Sequence, residues 1–115
     1  EGVDVDTAHR TVLKVWQTWN WKACWGWDFP WMAMAAARVG ESQLAVDALL
    51  MEAGDMNRYD IRGVNAGWYL PGNGGLLYAA AMMAAGWDGA PKRHAPGFPN
   101  DGNWVVKWEG LQRAP

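Results

Sequence analysis

A chain of 115 residues with net charge −2, its acids and bases interspersed, holds at most one small domain and offers no basic patch for nucleic acid. Half of it is hydrophobic and ten residues are tryptophan, which fits a core-forming segment. Cys24 is its one cysteine, so a disulfide framework and CxxC-type metal or redox motifs are excluded.

The first residue is Glu1 rather than Met, so a processed chain or a piece of a longer one is expected. No signal-peptide pattern is read. The longest uncharged run, Gly63 to Trp87, has too short an apolar part to span a bilayer.

Asp4 and Asp6 offer N-caps for a first helix, about Thr7 to Trp19. Ala8, Val12, Val15, Trp16 and Trp19 fall on one face, with Arg10, Lys14 and Gln17 on the other. An aromatic loop follows, Asn20 to Trp31, with a Gly26 hinge and the helix-start signal Asp28 ahead of Pro30. The second helix, Pro30 to Val39, carries only Arg38 as a charge and stops at Gly40. Such an all-apolar helix is expected to be covered on every side.

Ser42 caps a third helix, Gln43 to Glu52, with a stripe of Leu44, Ala45, Ala48 and Leu49. Its short link to the second predicts an antiparallel αα-hairpin. Ala53 to Tyr69 is a long polar connection holding Asp55, Asn57, Arg58, Asp60, Arg62 and Asn65; long structured loops are often functional. The stretch Tyr69-Leu70-Pro71-Gly72-Asn73-Gly74-Gly75 predicts a tight polar turn opening into a fourth, uncharged helix, Gly75 to Ala85. Gly89 to Gly102 predicts an extended surface loop. Trp104 to Trp108 predicts a short C-terminal β segment with Trp104, Val106 and Trp108 on one face.

The helices alternate amphipathic, all-apolar, amphipathic, all-apolar. That is the pattern of two layers of antiparallel hairpins and predicts an all-α fold, part of an (α/α)6 barrel. Inner helices of such a barrel run parallel, which would place the loop Trp25–Pro30 and the stretch Leu70–Gly75 at one end. Four helices cannot close the ring. The two apolar helices would therefore expose a hydrophobic patch, to be met by the rest of a larger protein or by self-association. The 115 residues are accordingly expected to form one partial domain, with 87–115 as an extended C-terminal segment.

Trp25-Gly26-Trp27-Asp28-Phe29-Pro30, the run Met32 to Glu41, Ala45 to Leu50, Tyr69 to Leu77, and Gly97-Phe98-Pro99 to Leu111 together resemble the C-terminal end of an (α/α)6-barrel glycoside hydrolase. The nearest such family is the inverting α-L-fucosidases of family 95, with related bacterial proteins. The resemblance covers most of the chain. It implies a carbohydrate partner, no cofactor, and a bacterial parent that is secreted or periplasmic. In the fucosidases an Asp-Gly-Asn turn precedes the helix matching Gly75–Ala85 and its Asp serves the catalytic base. Here Gly72 and Asn73 match the Gly-Asn, while Pro71 stands at the Asp position and has no proton to exchange. An Asn-Gly-His-Asn stretch of relatives is here Gly63-Val64-Asn65-Ala66. The family's general acid lies upstream of the region matched. Inversion needs two carboxyl groups roughly 6.5–9.5 Å apart, so the resemblance implies no complete catalytic pair in this chain.

The candidate substrate-binding residues are Trp25, Trp27, Asp28 and Asn73. An indole face suits the C–H face of a pyranose, against core packing as the alternative. Asp28 is a hydrogen-bonding or catalytic carboxylate, or a helix N-cap. Asn73 is a ligand contact or an Asx-type brace. Glu109 is a further carboxylate or a structural residue. His9 and His94 have no partner at metal-ligand spacing, so no metal is expected. Gly72-Asn73-Gly74-Gly75 lacks the third glycine and the preceding strand of a dinucleotide motif. With Ser42 as its one serine, a helix cap, no nucleophilic triad is read. The sequence thus points to one wall of a sugar cleft in a glycoside hydrolase, inactive alone. The alternative is a non-catalytic carbohydrate-binding or helical interaction module.

Overall fold

Helix α1 (Val5–Thr18) begins where Asp4 accepts from the Thr7 amide at 2.8 Å and the Thr7 hydroxyl at 2.7 Å. Those two bonds hold the Asp4 carboxyl below its ordinary value. The computed structural model describes residues 2–60, 63–64 and 69–115. The expected contributions of Arg62 and Asn65 lie outside the described residues. Val12 is buried, and Ala8, Val15 and Trp16 are half-buried, so the predicted stripe faces the core; Trp19, past the last turn, is exposed.

α2 (Asp28–Arg38) and α3 (Ser42–Leu50) form the predicted hairpin. The turn is a Schellman motif: the Glu41 amide donates to the Ala36 carbonyl at 2.9 Å, and the Gly40 amide to Ala37 at 3.1 Å. It requires a left-handed residue, which Gly40 supplies at φ 89. Ala33, Ala36 and Ala37 of α2 and Ala45 and Ala48 of α3 are buried, and such small side chains let the two helices approach closely. α3 ends at Leu50 rather than Glu52. The buried Asn57 amide donates to the carbonyls of Ala48, Leu49 and Met51 at 3.3, 3.4 and 2.8 Å, capping that end from the side.

α1 runs against α2. Trp21, just past α1, packs on Phe29 at the start of α2, while His9 pairs with Glu41 beyond its end at 2.7 Å. α4 (Leu70–Ala85) runs parallel to α2. Pro30 meets Gly75 near their starts, and Arg38 lies 6.0 Å from the centre of the Trp87 ring near their ends. The predicted common end for the two N-termini is therefore present. The described residues are mostly helical; the strands β1 (Tyr59–Asp60) and β2 (Gly63–Val64) make a two-residue antiparallel pair, Tyr59 opposite Val64 and Asp60 opposite Gly63. No described helix is long and apolar enough to cross a membrane.

Two expectations are corrected and a third holds. Tyr69–Gly75 is not a turn: the helix starts at Leu70 and takes in Pro71, Gly72, Asn73, Gly74 and Gly75. Proline in a first helical turn lacks only an N–H that would have no partner there, and the Asn73 side chain donates to the Tyr69 carbonyl at 3.2 Å. The apolar helices leave side chains bare, as expected where four helices cannot cover one another: α2 exposes Trp31, and α4 exposes Leu70, Leu77 and Tyr78. Finally, Trp104–Trp108 forms no ladder; the one bridge in this part of the described chain joins Trp87 to Ala114. The alternation of Trp104, Val106 and Trp108 is satisfied by the loop 93–98 instead. Trp104 packs on Phe98, the Val106 carbonyl accepts from His94 at 2.7 Å, and Trp108 stacks on His94. Pro96 and the left-handed Ala95 keep that loop from presenting a strand edge.

The segment after α4 wraps its C-terminal end. The Gly97 amide donates to the Met83 carbonyl at 2.9 Å, and Arg38 donates to the Pro115 carbonyl at 2.6 Å. A Cβ on Gly97 would lie 2.5 Å from Met83 Cα, within the core. Gly97→Ala is expected to destabilise the chain by about 1–3 kcal/mol through overpacking, measured by denaturant unfolding. Asn57→Asp, which replaces an amide donor by an acceptor facing three carbonyls, is expected to cost at least about 1–3 kcal/mol in the same assay. A neutral result would remove Asn57 from its capping role.

Candidate functional site

The loop between α1 and α2 is fixed by backbone and side chain together. Residues Trp21–Ala23 make a 3-10 turn, and the Trp21 indole donates to the Trp16 carbonyl at 3.0 Å. Asp28, in the first turn of α2, accepts from the Trp25 amide at 2.8 Å and closes the Trp25-Gly26-Trp27-Asp28 loop. A carboxylate at that position also meets the positive end of the helix dipole. Burial pushes the Cys24 thiol up, and the neighbouring Asp28 charge adds to it, so Cys24 is a poor nucleophile.

Gly26 is where this loop touches the next one. A Cβ there would sit 2.5 Å from the Met56 carbonyl oxygen and 3.2 Å from the Tyr69 ring. Trp25 stacks obliquely on Tyr69, their ring centres 5.8 Å apart, and Asn73 reaches the Tyr69 carbonyl. Two predicted site residues, Trp25 and Asn73, thus contact Tyr69, which was not among the sequence candidates, and Asp28 joins them through the Trp25 amide. Trp27 packs on Trp31, their ring centres 5.8 Å apart. Trp25 is 59 % exposed and Trp27 45 %, whereas Phe29, in the first turn of α2, is fully buried. Core packing therefore accounts for Phe29 and not for the two indoles.

Beside the loop lies an open cleft of about 740 Å3 lined by Lys22, Glu52, Ala53, Gly54, Asp55, Asn57 and Arg58. It adjoins the aromatic loop through the 3-10 turn Gly54–Asn57, whose Met56 carbonyl faces Gly26. Its four charged side chains are exposed, and none of them is held by an ion pair or side-chain hydrogen bond among the described residues. The unusual length of the polar connection was the signal for this cleft; its pairing with Lys22 was not visible. Tyr59 braces the same region, its hydroxyl donating to the Gly72 carbonyl at 3.4 Å, and burial raises its pKa.

The other candidates lie elsewhere. His9 is paired with Glu41, and His94 with the Val106 carbonyl and the Trp108 ring. Glu109 is exposed in the C-terminal segment, well along the chain from the loop. Among the described residues no three His, Cys, Asp or Glu side chains converge as metal ligands. Comparison with protein-family models, with curated proteins and with solved structures yields no match.

Gly26→Ala is expected to force the Trp25 loop off Met56 and Tyr69. The near-ultraviolet circular dichroism band of the Trp25–Tyr69 pair should weaken while the far-ultraviolet helical signal is kept. An unchanged near-ultraviolet spectrum would mean that the loop tolerates the added methyl.

Proposed function

We propose that the chain is a carbohydrate-recognition wall, the C-terminal portion of a larger α/α-barrel protein related to glycoside hydrolases, and inactive as a hydrolase alone. The observation that carries the reading is the placement of exposed indoles on a braced loop beside an open polar cleft. A sugar ring presents apolar C–H faces and hydroxyls at once, so it wants an aromatic platform next to hydrogen-bonding groups. Trp25 is held by Asp28 through its backbone and by Tyr69 through its ring, so little side-chain freedom is lost on binding. Trp27, supported by Trp31, extends the platform along α2. Asn73 contributes to the edge by fixing the Tyr69 carbonyl.

Support for the larger parent comes from the bare apolar side of α4, where Leu70, Leu77 and Tyr78 face solvent on a helix without a charge. A second reading, a helical interaction module that meets a protein partner, draws on the same face. The inactivity follows from the side chains at the mouth. Asp28 is committed to the Trp25 amide, and Pro71 offers no carboxyl where the fucosidase-like pattern has one.

Titrating the chain with neutral oligosaccharides should change its tryptophan fluorescence, and Trp25→Ala should abolish most of that change while preserving helical content. No aryl glycoside should be hydrolysed. Hydrolysis by the chain alone would overturn the inactive-wall reading, and a fluorescence response unaffected by Trp25→Ala would move the platform elsewhere.

A further inference from the structure

The segment that wraps the C-terminal end of α4 holds a second concavity. It is an open pocket of about 190 Å3 walled by Phe98, Pro99, Trp104 and Val106, with Arg93 and His94 in its lining. Its parts are fixed to one another. Arg93 Nη2 donates to the Pro96 and Phe98 carbonyls at 2.9 and 2.8 Å. The Phe98 ring meets Trp104, their centres 5.5 Å apart, so one residue joins the cation to the aromatic pair. His94 Nε2 donates to the Val106 carbonyl at 2.7 Å and ties that wall to the same loop. The Gly97 amide bond to Met83 seats the loop on α4. Ala95, which also lines the pocket, is buried and held at φ 46, a left-handed conformation that a residue with a Cβ rarely adopts. Such strain persists only where the surroundings overdetermine the backbone, and ligand clamps are a common place for it.

The charge in this pocket has one sign. No Asp or Glu lines it. Arg93 is half-buried, and among the described residues no carboxylate lies within ion-pair distance of it. Asp101, the acid next in sequence to the pocket's Asn100, is held by the Asn103 amide at 2.9 Å and side chain at 3.0 Å. Nη2 spends its hydrogens on the two carbonyls, which leaves the donors on Nε and Nη1 without an acceptor among the described residues. No buried side-chain nitrogen there lacks a partner, so these donors are open to solvent and to a ligand. A partly desolvated guanidinium with no counter-charge attracts an anion and opposes an ammonium. A bare inorganic anion would leave the Phe98 and Trp104 walls in water, and a neutral ring would leave Arg93 unmatched. We infer that the pocket binds a small carboxylate carrying one flat apolar ring, an aryl carboxylate, with Arg93 on the carboxylate and the ring against Phe98 and Trp104. A cavity of about 150 Å3 holds benzene, so about 190 Å3 suits one ring and its carboxylate. The charge-assisted bond to the carboxylate is roughly twice as strong as one to a neutral acceptor. This site does not depend on the carbohydrate reading.

The test is titration of the full chain with benzoate, benzyl alcohol, benzylammonium and acetate, followed by calorimetry and by the indole N–H signals in NMR. Benzoate is expected to bind about tenfold more tightly than benzyl alcohol or acetate, and benzylammonium more weakly than the alcohol, with benzoate's lead over the alcohol falling as salt is added. The Trp104 indole signal, identified with Trp104→Phe, should move with benzoate. Arg93→Gln should remove most of the tenfold lead while leaving benzyl alcohol within about twofold. Because Arg93 also braces the loop 93–98, Trp104→Ala serves as a second variant that leaves those backbone contacts in place. It should weaken benzoate and benzyl alcohol alike, by about fivefold or more. Benzylammonium or acetate binding as tightly as benzoate, a benzoate response that misses Trp104, a lead that survives Arg93→Gln, or no benzoate binding at millimolar concentration would each overturn the inference. None of these results bears on the response to oligosaccharides at Trp25.

Discussion

The contact between Pro30 and Gly75 sets the geometry on which the rest of the molecule depends. A Cβ at Gly75 would lie 2.7 Å from Pro30 Cγ, so any larger residue would push α4 away from α2. That approach brings the starts of two parallel helices side by side. The aromatic loop ahead of α2 is then obliged to meet Tyr69 ahead of α4, and Gly26 meets Met56 between them. At the far end the same parallel pairing lets Arg38 reach both the Trp87 ring and the Pro115 carbonyl. Two glycines thus bring the candidate site's parts together: Gly26 allows a loop to touch a backbone oxygen, and Gly75 allows a helix to touch a proline.

The antiparallel order has an electrostatic consequence at the mouth. α2 and α4 present their N-terminal ends there, while α1 and α3 present their C-terminal ends, so the helix dipoles largely offset one another. Asn57 further satisfies the C-terminal carbonyls of α3 by donating to Ala48, Leu49 and the capping residue Met51. The local field is left to side chains, chiefly Lys22, Glu52, Asp55 and Arg58. A glycine-rich helix start at the same place would by itself favour any anion. Here Pro71 lacks an amide hydrogen and Gly72 is buried, so the start of α4 is used for packing.

How much of this was legible in the residues depended on how local each cause was. Asp4 ahead of α1 and Gly40 after α2 act within a few residues, and the boundaries they predict hold to within a residue or two. The parallel placement of α2 and α4 was expected from the alternation of apolar and amphipathic helices taken together with an α/α-barrel arrangement, in which inner helices run parallel. Leu70 to Gly75 misled for a physical reason. Its Pro and Gly content argues for a turn, and each interior glycine costs a helix about 1 kcal/mol relative to alanine. Tertiary contacts at Gly72 and Gly75 outweigh that preference. Trp104–Trp108 shows the converse case: the alternation of side chains was real, but its partner is a proline-containing loop that cannot extend a ladder. The charged cleft was hidden because Lys22 and the residues 52–58 are brought together only when the α2–α3 hairpin closes.

In the proposed reading the mouth serves recognition rather than bond cleavage. A general acid needs a carboxyl kept protonated by burial or by a neighbouring charge. Asp28 is half-buried at a helix start, and its carboxyl oxygen is engaged by the Trp25 amide. Glu52 and Asp55 are exposed in an open cleft, where water screens them. What the structure supplies instead is rigidity: an indole braced from two sides, a loop with no room to shift at Gly26, and a helix end capped by Asn57. Those features lower the cost of ordering a ligand without lowering any barrier. The bare face of Leu70, Leu77 and Tyr78 points the same way. A wall that is one part of a larger enclosure can leave desolvation and proton transfer to the parts that complete it.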